Sequence, residues 1–390
     1  MKIKIFATIV LLMFLGTFSL TTFAEPNNVT INVYNWGEYI SDGTNGSIDT
    51  NAEFTRRTGI NVHYTTFQSN EEMFAKLASG GADYDVIIPS DYMISKLIEN
   101  NMLAKLDFNN IPNFSLIDEK MLNPEYDVTN EYSVPYTWGT VGIFYNKNKV
   151  AETEDKIGWD ILWNPKYKGQ ILMFDNSRDA FGISLIRLGR SVNSINEQDW
   201  YDAAKELTEQ KPFVQAYVMD QIFDKMGNGE AALAPYYAGD AVVLVEENPN
   251  IGFVIPKEGT TKFVDAMCIP ADSKNKKEAE AYINFMCETY IAKANIEHIG
   301  YSTPQKEVFR QLDKEIIENE IFYPSDEVLS KAEVFKNLPD NINSLLDNLW
   351  VEVKTGQKGN TSALIAVFFG FVLLYIFIVV YKKMRAKNGR

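Results

Sequence analysis

Apolar and polar residues alternate along 30–34, take up helical spacing in the stretch that ends at 58, and alternate again along 61–67, which predicts strand, helix and strand in succession. Ser69 and Glu72 then make a Ser-x-x-Glu capping box that opens a helix stopped at Gly80 and Gly81, and the apolar run 85–88 reads as a short buried strand. After the apolar stretch 142–145 the alternation returns. Residues 170–174 read as strand, 179–188 as helix, and 231–236 and 251–255 as strands, followed by a strand at 263–270 and an amphipathic helix over 276–289. Strands alternating with helices predict α/β architecture with a largely parallel sheet, and the pattern occurring twice over roughly 330 residues predicts two lobes rather than one core.

The two ends follow a different pattern. Lys2 and Lys4 precede an apolar run over 5–20, and Thr22, Phe23 and Ala24 offer small residues for cleavage before Glu25. Residues 1–24 are therefore expected to be an export signal, with an uncleaved N-terminal anchor as the alternative. Residues 363–381 carry no charge over nineteen positions, enough to span about 28 Å as a helix. The basic tail 382–390 follows at once and marks a cytoplasmic side. A single-pass transmembrane helix is expected there, with the chain before it outside the cell membrane, extracellular or periplasmic. A buried core helix would show a polar face, which this run lacks.

Charge sharpens that picture. The whole chain carries −15, but its seven basic residues in 1–24 and 382–390 have no acidic counterparts, so the exported part holds 30 basic against 52 acidic residues, or −22. Such a field disfavours nucleic acid and anionic ligands and concentrates cations, although plain solubility also accounts for acidity. Two cysteines, Cys268 and Cys287, exclude a disulfide scaffold and a cysteine-rich metal site. Their spacing does not show whether they pair, and two buried free thiols are expected. Neither lies near the signal, so a lipid-modified N-terminal cysteine is not offered. The chain has only His63 and His298 and lacks a phosphate-binding glycine loop, a nucleophile elbow and a zinc-protease motif. No catalytic residue, metal or cofactor is expected.

Ligands of open α/β sheets bind at the carboxyl ends of strands, and in two-lobed proteins where the lobes meet. The expected strand ends here are Asn-Trp-Gly-Glu-Tyr at 35–39, Pro-Ser-Asp-Tyr at 89–92, Asp-Asn-Ser-Arg-Asp at 175–179, Tyr-Tyr-Ala-Gly-Asp at 236–240, Phe-Val-Asp at 263–265 and Gly-Tyr-Ser-Thr-Pro at 300–304. Each brings an aromatic, a carboxylate or both. An ammonium group has only donors and a full charge, so it needs carboxylate acceptors, while a methylene chain needs apolar walls. Aromatic faces also attract cations, by ~0.5–2 kcal/mol when desolvated. Such a slot fits an alkyl diamine or triamine.

With these stretches in view, the chain resembles the spermidine- and putrescine-binding proteins of bacterial ABC importers. The resemblance rests on Tyr-Asn-Trp-Gly-Glu-Tyr at 34–39, Thr-Gly-Ile-Asn-Val at 58–62, Ser-Asn-Glu at 69–71, Tyr-Asp-Val-Ile-Ile-Pro-Ser at 84–90, Val-Pro-Tyr-Thr-Trp-Gly at 134–139 and Ile-Gly-Tyr-Ser-Thr-Pro at 299–304. It implies an α/β, two-lobed periplasmic-binding-protein fold of type II with a hinge and a central ligand cleft, to which the C-terminal transmembrane helix is added. The lobes are expected at 25–140 and 141–262, with a return to the first over 263–308 and to the second over 309–358. The resemblance also implies a site. Trp36 and Tyr39 would wall the pocket with Glu38 as an acidic contact, and Ser90 and Tyr92 would come from the third-strand loop. Asp179 would grip one amine and Asp265 the other end. Tyr301 would line the pocket, Tyr237 and Phe263 would stand where relatives often have tryptophan, and Asp240 is similar to an acid of the putrescine-type branch. Asn176 stands where spermidine-type members can carry aspartate, and Gly37 replaces a hydroxyl residue, so the choice among putrescine, spermidine and spermine stays open.

The expected partners are a polyamine ligand, the permease and ATPase subunits of the importer, and the membrane. Closure is expected around segments 136–142 and 255–263. For several of these residues a plain structural role competes. Core packing suits Trp36, Tyr237 and Phe263, Tyr92 is also suited to capping a loop, and Asp179 would be stabilised in a first helical turn by the helix dipole. An acid inside an apolar strand, as Asp265 is, needs a partner. Two other functions use the same features: a membrane-tethered polyamine sensor without transport, and a carboxylate-dependent glycosidase.

Overall fold

The computed structural model describes residues 29–81 and 83–356. The expected export signal, the apolar run 363–381 and the basic tail 382–390 lie outside the described residues. Among the described residues no helix is long and apolar enough to cross a membrane.

The first lobe opens with β1 (Thr30–Trp36), α1 (Thr50–Thr58), β2 (Asn61–Phe67), α2 (Asn70–Ala78), β3 (Val86–Ile87) and α3 (Asp91–Glu99). Helix α1 is shorter than its sequence pattern suggests. Gly43, Asn45 and Gly46 all take positive φ and break the chain into turns, so the helix begins only where the Asp49 carboxylate accepts from Ala52 N at 2.8 Å. The α2 capping box forms as its residues require. Glu72 N donates to Ser69 Oγ at 3.1 Å, and the Glu72 carboxylate reaches back to Gln68 N at 2.9 Å.

Strand β4 (Ser133–Asn146) carries the chain between lobes. Its first part, through Thr140, pairs with β9 (Thr260–Cys268); from Val141 onward it pairs with β7 (Leu233–Tyr237) and β8 (Ile251–Val254). Nearly every β4 residue is buried, which explains why so long a strand shows little alternation in sequence. The second lobe adds β5 (Ile171–Phe174), α4 (Ser177–Arg187), α5 (Glu197–Gln210), β6 (Val214–Val218), α6 (Gln221–Gly227) and α7 (Ala238–Glu247). The resulting strand order is β2-β1-β3-β9-β4-β7-β5-β6, with β8 on β4 and the short β10 (Ala332–Val334) on β9. One core packs around Phe144, Phe174, Trp159 and Leu233 in the second lobe, and others around Ile31, Val86, Met267 and Tyr34 in the first.

Helices α8 (Lys276–Met286) and α9 (Thr289–Ile299) return to the first lobe. After α10 (Lys306–Gln311) come two single-turn helices, α11 (Lys314–Ile317) and α12 (Asp326–Leu329), then α13 (Asp340–Thr355). Leu312, Ile316, Ile317 and Tyr323 cover Ala292, Ile296 and Val308, because the outer face of α9 is apolar and needs a lid. Contact with the second-lobe core resumes at Ile321 and continues from Leu338 along α13. Both cysteines are buried free thiols.

Candidate functional site

The lobes meet over a narrow cleft of about 60 Å³ at the carboxyl ends of β1, β3, β5 and β7. Trp36, Tyr39, Ser90, Tyr92, Asp179, Tyr237, Asp240, Phe263, Asp265 and Tyr301 all line it. Of the residues expected there only Glu38 does not. It sits at φ 48° in the turn after β1, exposed to solvent, and the chain brings Tyr39 rather than Glu38 inward. Among the described residues the cleft lining holds four aspartates and no lysine, arginine or histidine.

Three of those aspartates are each held by one tyrosine. Asp265 lies in β9 opposite Thr137 of β4, within the first lobe. Tyr39 donates to its Oδ2 at 2.6 Å, while Oδ1 is buried without a partner. The acid in the apolar strand is thus half satisfied, and its second oxygen retains the cost of burial. Asp179 sits in the first turn of α4, whose start is fixed by Asn176 accepting from Arg178 N at 3.0 Å. Tyr237, at the end of β7, donates to Asp179 Oδ2 at 2.7 Å. Asp240 is in the first turn of α7 and takes a 2.8 Å hydrogen bond from Tyr301 of the first lobe, so this pair bridges the lobes. Gly239 makes the bridge possible: a Cβ there would lie 2.2 Å from the Tyr301 ring.

Burial pushes all three acids up, Asp265 to about 6, Asp179 to about 7 and Asp240 to about 8, and the tyrosine hydrogen bonds offset only part of it. Neighbouring carboxylates add to the rise, Glu71 and Asp265 acting on Asp179, and Asp220 and Glu38 acting on Asp240. Tyr39, Tyr237 and Tyr301 are themselves raised well above ordinary tyrosine by burial, so they stay protonated donors.

Aromatic rings form the walls between these acids. Tyr39 meets Tyr301 edge to face at 4.8 Å, and Phe263 stands 5.4 Å from Tyr237 and 6.1 Å from Tyr301. Ser90 is fixed by Asn70, whose Nδ2 donates to Ser90 Oγ at 3.1 Å and whose Oδ1 accepts from Ser90 N at 3.2 Å. Tyr92 is in α3 rather than a loop, and its hydroxyl donates to Glu71 Oε1 at 2.8 Å. Behind it Arg178 is buried, its guanidinium 4.5 Å from the Phe335 ring centre and 5.3 Å from that of Tyr92. Arg178 partly counters Asp179 and Glu71 without lining the cleft.

The cleft also contains residues that the strand-end reading did not single out: Asn70, Met219, Asp220, Phe223, Tyr236 and Phe335. Met219 and Asp220 follow β6, a half-exposed edge strand with no clean alternation, so its end gave no signal. Phe335 arrives through the three-residue β10, too short for a periodic pattern. Among the described residues no cluster of three or more His, Cys, Asp or Glu side chains fits a metal ion.

Residues 83–332 match the family described as bacterial extracellular solute-binding protein. The spermidine/putrescine-binding periplasmic protein of Escherichia coli K12 is 35% identical over 336 residues, covering 86% of this chain and 94% of that relative. The putrescine-binding periplasmic protein of the same strain is 29% identical over 346 residues, covering 84% and 92%. Among solved structures, one described as a spermidine/putrescine ABC transporter from Listeria monocytogenes aligns with a TM-score of 0.79 at 38% identity, covering 84% of this chain and 99% of that one. A spermidine/putrescine ABC transporter substrate-binding protein from Streptococcus pneumoniae aligns with a TM-score of 0.69 at 36% identity, covering 84% and 98%.

Proposed function

The chain belongs to the bacterial extracellular solute-binding proteins, and from that premise we propose that it is the substrate-binding component of a polyamine ABC importer, taking putrescine or spermidine outside the cytoplasm. It is a binding protein rather than an enzyme. The observation that carries this reading is the charge of the cleft: four aspartates among aromatic walls, with no basic side chain in the lining. A linear polyamine supplies what that cleft lacks, ammonium donors for the carboxylates and methylenes for the rings.

In the mechanism, Asp179 accepts from one amine and Asp265 from the other end of the ligand, with Asp240 as a further acceptor. Trp36, Tyr39, Tyr92, Tyr237, Phe263 and Tyr301 sheath its methylenes, and Ser90 offers a neutral polar contact. The lobes close around the strand crossings at 136–142 and 255–263, and the closed form docks on a permease driven by its ATPase subunits. The tyrosine bridge from Tyr301 to Asp240 spans the two lobes.

An export signal at 1–24 and a membrane tether at 363–381 complete the proposal. The tether is supported by its length, its lack of charge and the basic residues that follow. It would hold the binding domain beside its permease. Titration of the purified protein with putrescine, spermidine and spermine tests the function. Saturable heat with at least one is expected, and no binding of any at millimolar concentration refutes it.

A further inference from the structure

The fourth aspartate of the cleft, Asp220, has a setting unlike the other three. It follows β6, the outermost strand of the second lobe, and faces the tips of β1 and β2, the outermost strands of the first. Strand order therefore puts it at the cleft mouth, whereas Asp265 sits on β9 beside the crossing strand β4.

Two observations define the contact there. A Cβ built on Gly37 would come within 2.3 Å of Asp220 Oδ2, so glycine at 37 is what lets the carboxylate reach this point. Gln68 Nε2 lies 3.4 Å from the same oxygen, a weak bond that leaves most of the acid's capacity unused. Desolvation raises the Asp220 pKa accordingly. The cavity, its aromatic walls at Phe223 and Tyr236, and the buried, unpartnered Asp265 oxygen in the same lining make this more than a surface cluster of acids. Charge is divided along the cleft: Asp179 feels Asp265 and Glu71, Asp240 feels Asp220, and Tyr236 feels Asp240, Asp220 and Asp179 alike.

We propose that Asp220, admitted by Gly37, forms an additional ammonium subsite at the cleft mouth which a triamine reaches and a short diamine does not, so that this acid sets the preference for ligand length. The inference rests on the polyamine reading above. Where the residue at 37 carries a side chain, that side chain occupies the space which the Asp220 carboxylate holds here.

The test is titration of the unaltered protein, D220N and G37A with spermidine and with putrescine, reading the ratio of the two affinities. The account expects D220N to lower the spermidine-to-putrescine ratio by about tenfold, the scale of a charge-assisted hydrogen bond. G37A, which keeps the acid but displaces it, is expected to move the ratio in the same direction. A ratio that stays within threefold in both variants overturns the proposal, including the case where both amines weaken equally because Asp220 only latches the lobes. If D220N does not fold, the G37A ratio decides alone. Binding of neither amine by the unaltered protein would refute the polyamine reading itself, a result distinct from an unmoved ratio.

Discussion

Two cavities share the wall made by Tyr92 and Phe335, and they differ in what their charges lack. The rear cavity is the larger, about 420 Å³ against about 60 Å³ for the cleft between the lobes. Its charged residues come in both signs, Lys120, Lys262 and Lys336 with Glu99 and Glu125, and several are already engaged. Lys336 Nζ sits 2.8 Å from Glu125, Asn337 donates to Glu99 at 2.7 Å, and the Lys262 ammonium lies 4.6 Å from the Trp138 ring centre. The front cleft has four carboxylates with only neutral groups against them, tyrosine hydroxyls, the Ser90 side chain beside Asp265 and the Gln68 amide. Size alone would select the rear cavity. The acids select the front one, because buried carboxylates without counter-ions are held towards their protonated forms, and a cation that enters the cleft pairs with them as they ionise.

The largest break of this comparison comes from removing charge at the front. Asp265→Asn should weaken polyamine binding by ~1.5–3 kcal/mol, the worth of a hydrogen bond to a charged group. Calorimetry reads this directly, and an unchanged affinity would take Asp265 out of the site.

Acidity is the next lever. Asp265, Asp179 and Asp240 titrate at about 6, 7 and 8 in the empty cleft, above the ordinary aspartate value of 3.8. With folded values raised, the folded empty protein holds more protons than the unfolded chain, so its stability falls as pH rises from about 4 through about 8. Cation affinity runs the other way and rises over the upper part of that window as the acids ionise. Thermal melts with and without putrescine should therefore diverge from pH 5.5 to pH 8. A ligand-induced shift that is constant with pH would contradict this.

A smaller effect is expected from Tyr237→Phe, which removes the hydroxyl bonded to Asp179 and should cost ~0.5–1.5 kcal/mol in binding or stability. Denaturant titration alongside calorimetry would apportion it. The rear cavity supplies the control. Lys336→Ala breaks a solvent-exposed ion pair with Glu125 and should change stability by less than about 1 kcal/mol while leaving polyamine affinity as it was. A tenfold loss of affinity there would mean that charge pairing does not separate the cavities.

Much of the front cleft was legible in the sequence, because the acids and rings lie just past strands with readable periodicity. Asp265 is the plainest, an acid in an otherwise apolar strand that needs a partner and has one in the Tyr39 hydroxyl. For Asp179 the two competing roles turn out to be compatible: it occupies the first turn of α4 and also faces the cleft. Glu38 lies outside the cleft lining, because the positive-φ turn it occupies leaves its side chain in solvent while Tyr39 is buried. Asp220 was missed for a different reason. Its value depends on the absence of a side chain at Gly37, on the opposite lobe, and no local pattern reports that juxtaposition.

The most direct test of the uncompensated-charge account is the number of protons released when putrescine binds at pH 7, obtained from binding enthalpies in buffers of different ionisation heat. The two primary ammonium groups of putrescine stay charged at that pH, as lysine does, so any protons released come from the protein. The account predicts saturable binding with net proton release, as Asp179 and Asp240 ionise against the ligand. Binding with an enthalpy independent of buffer, or proton uptake, would contradict it.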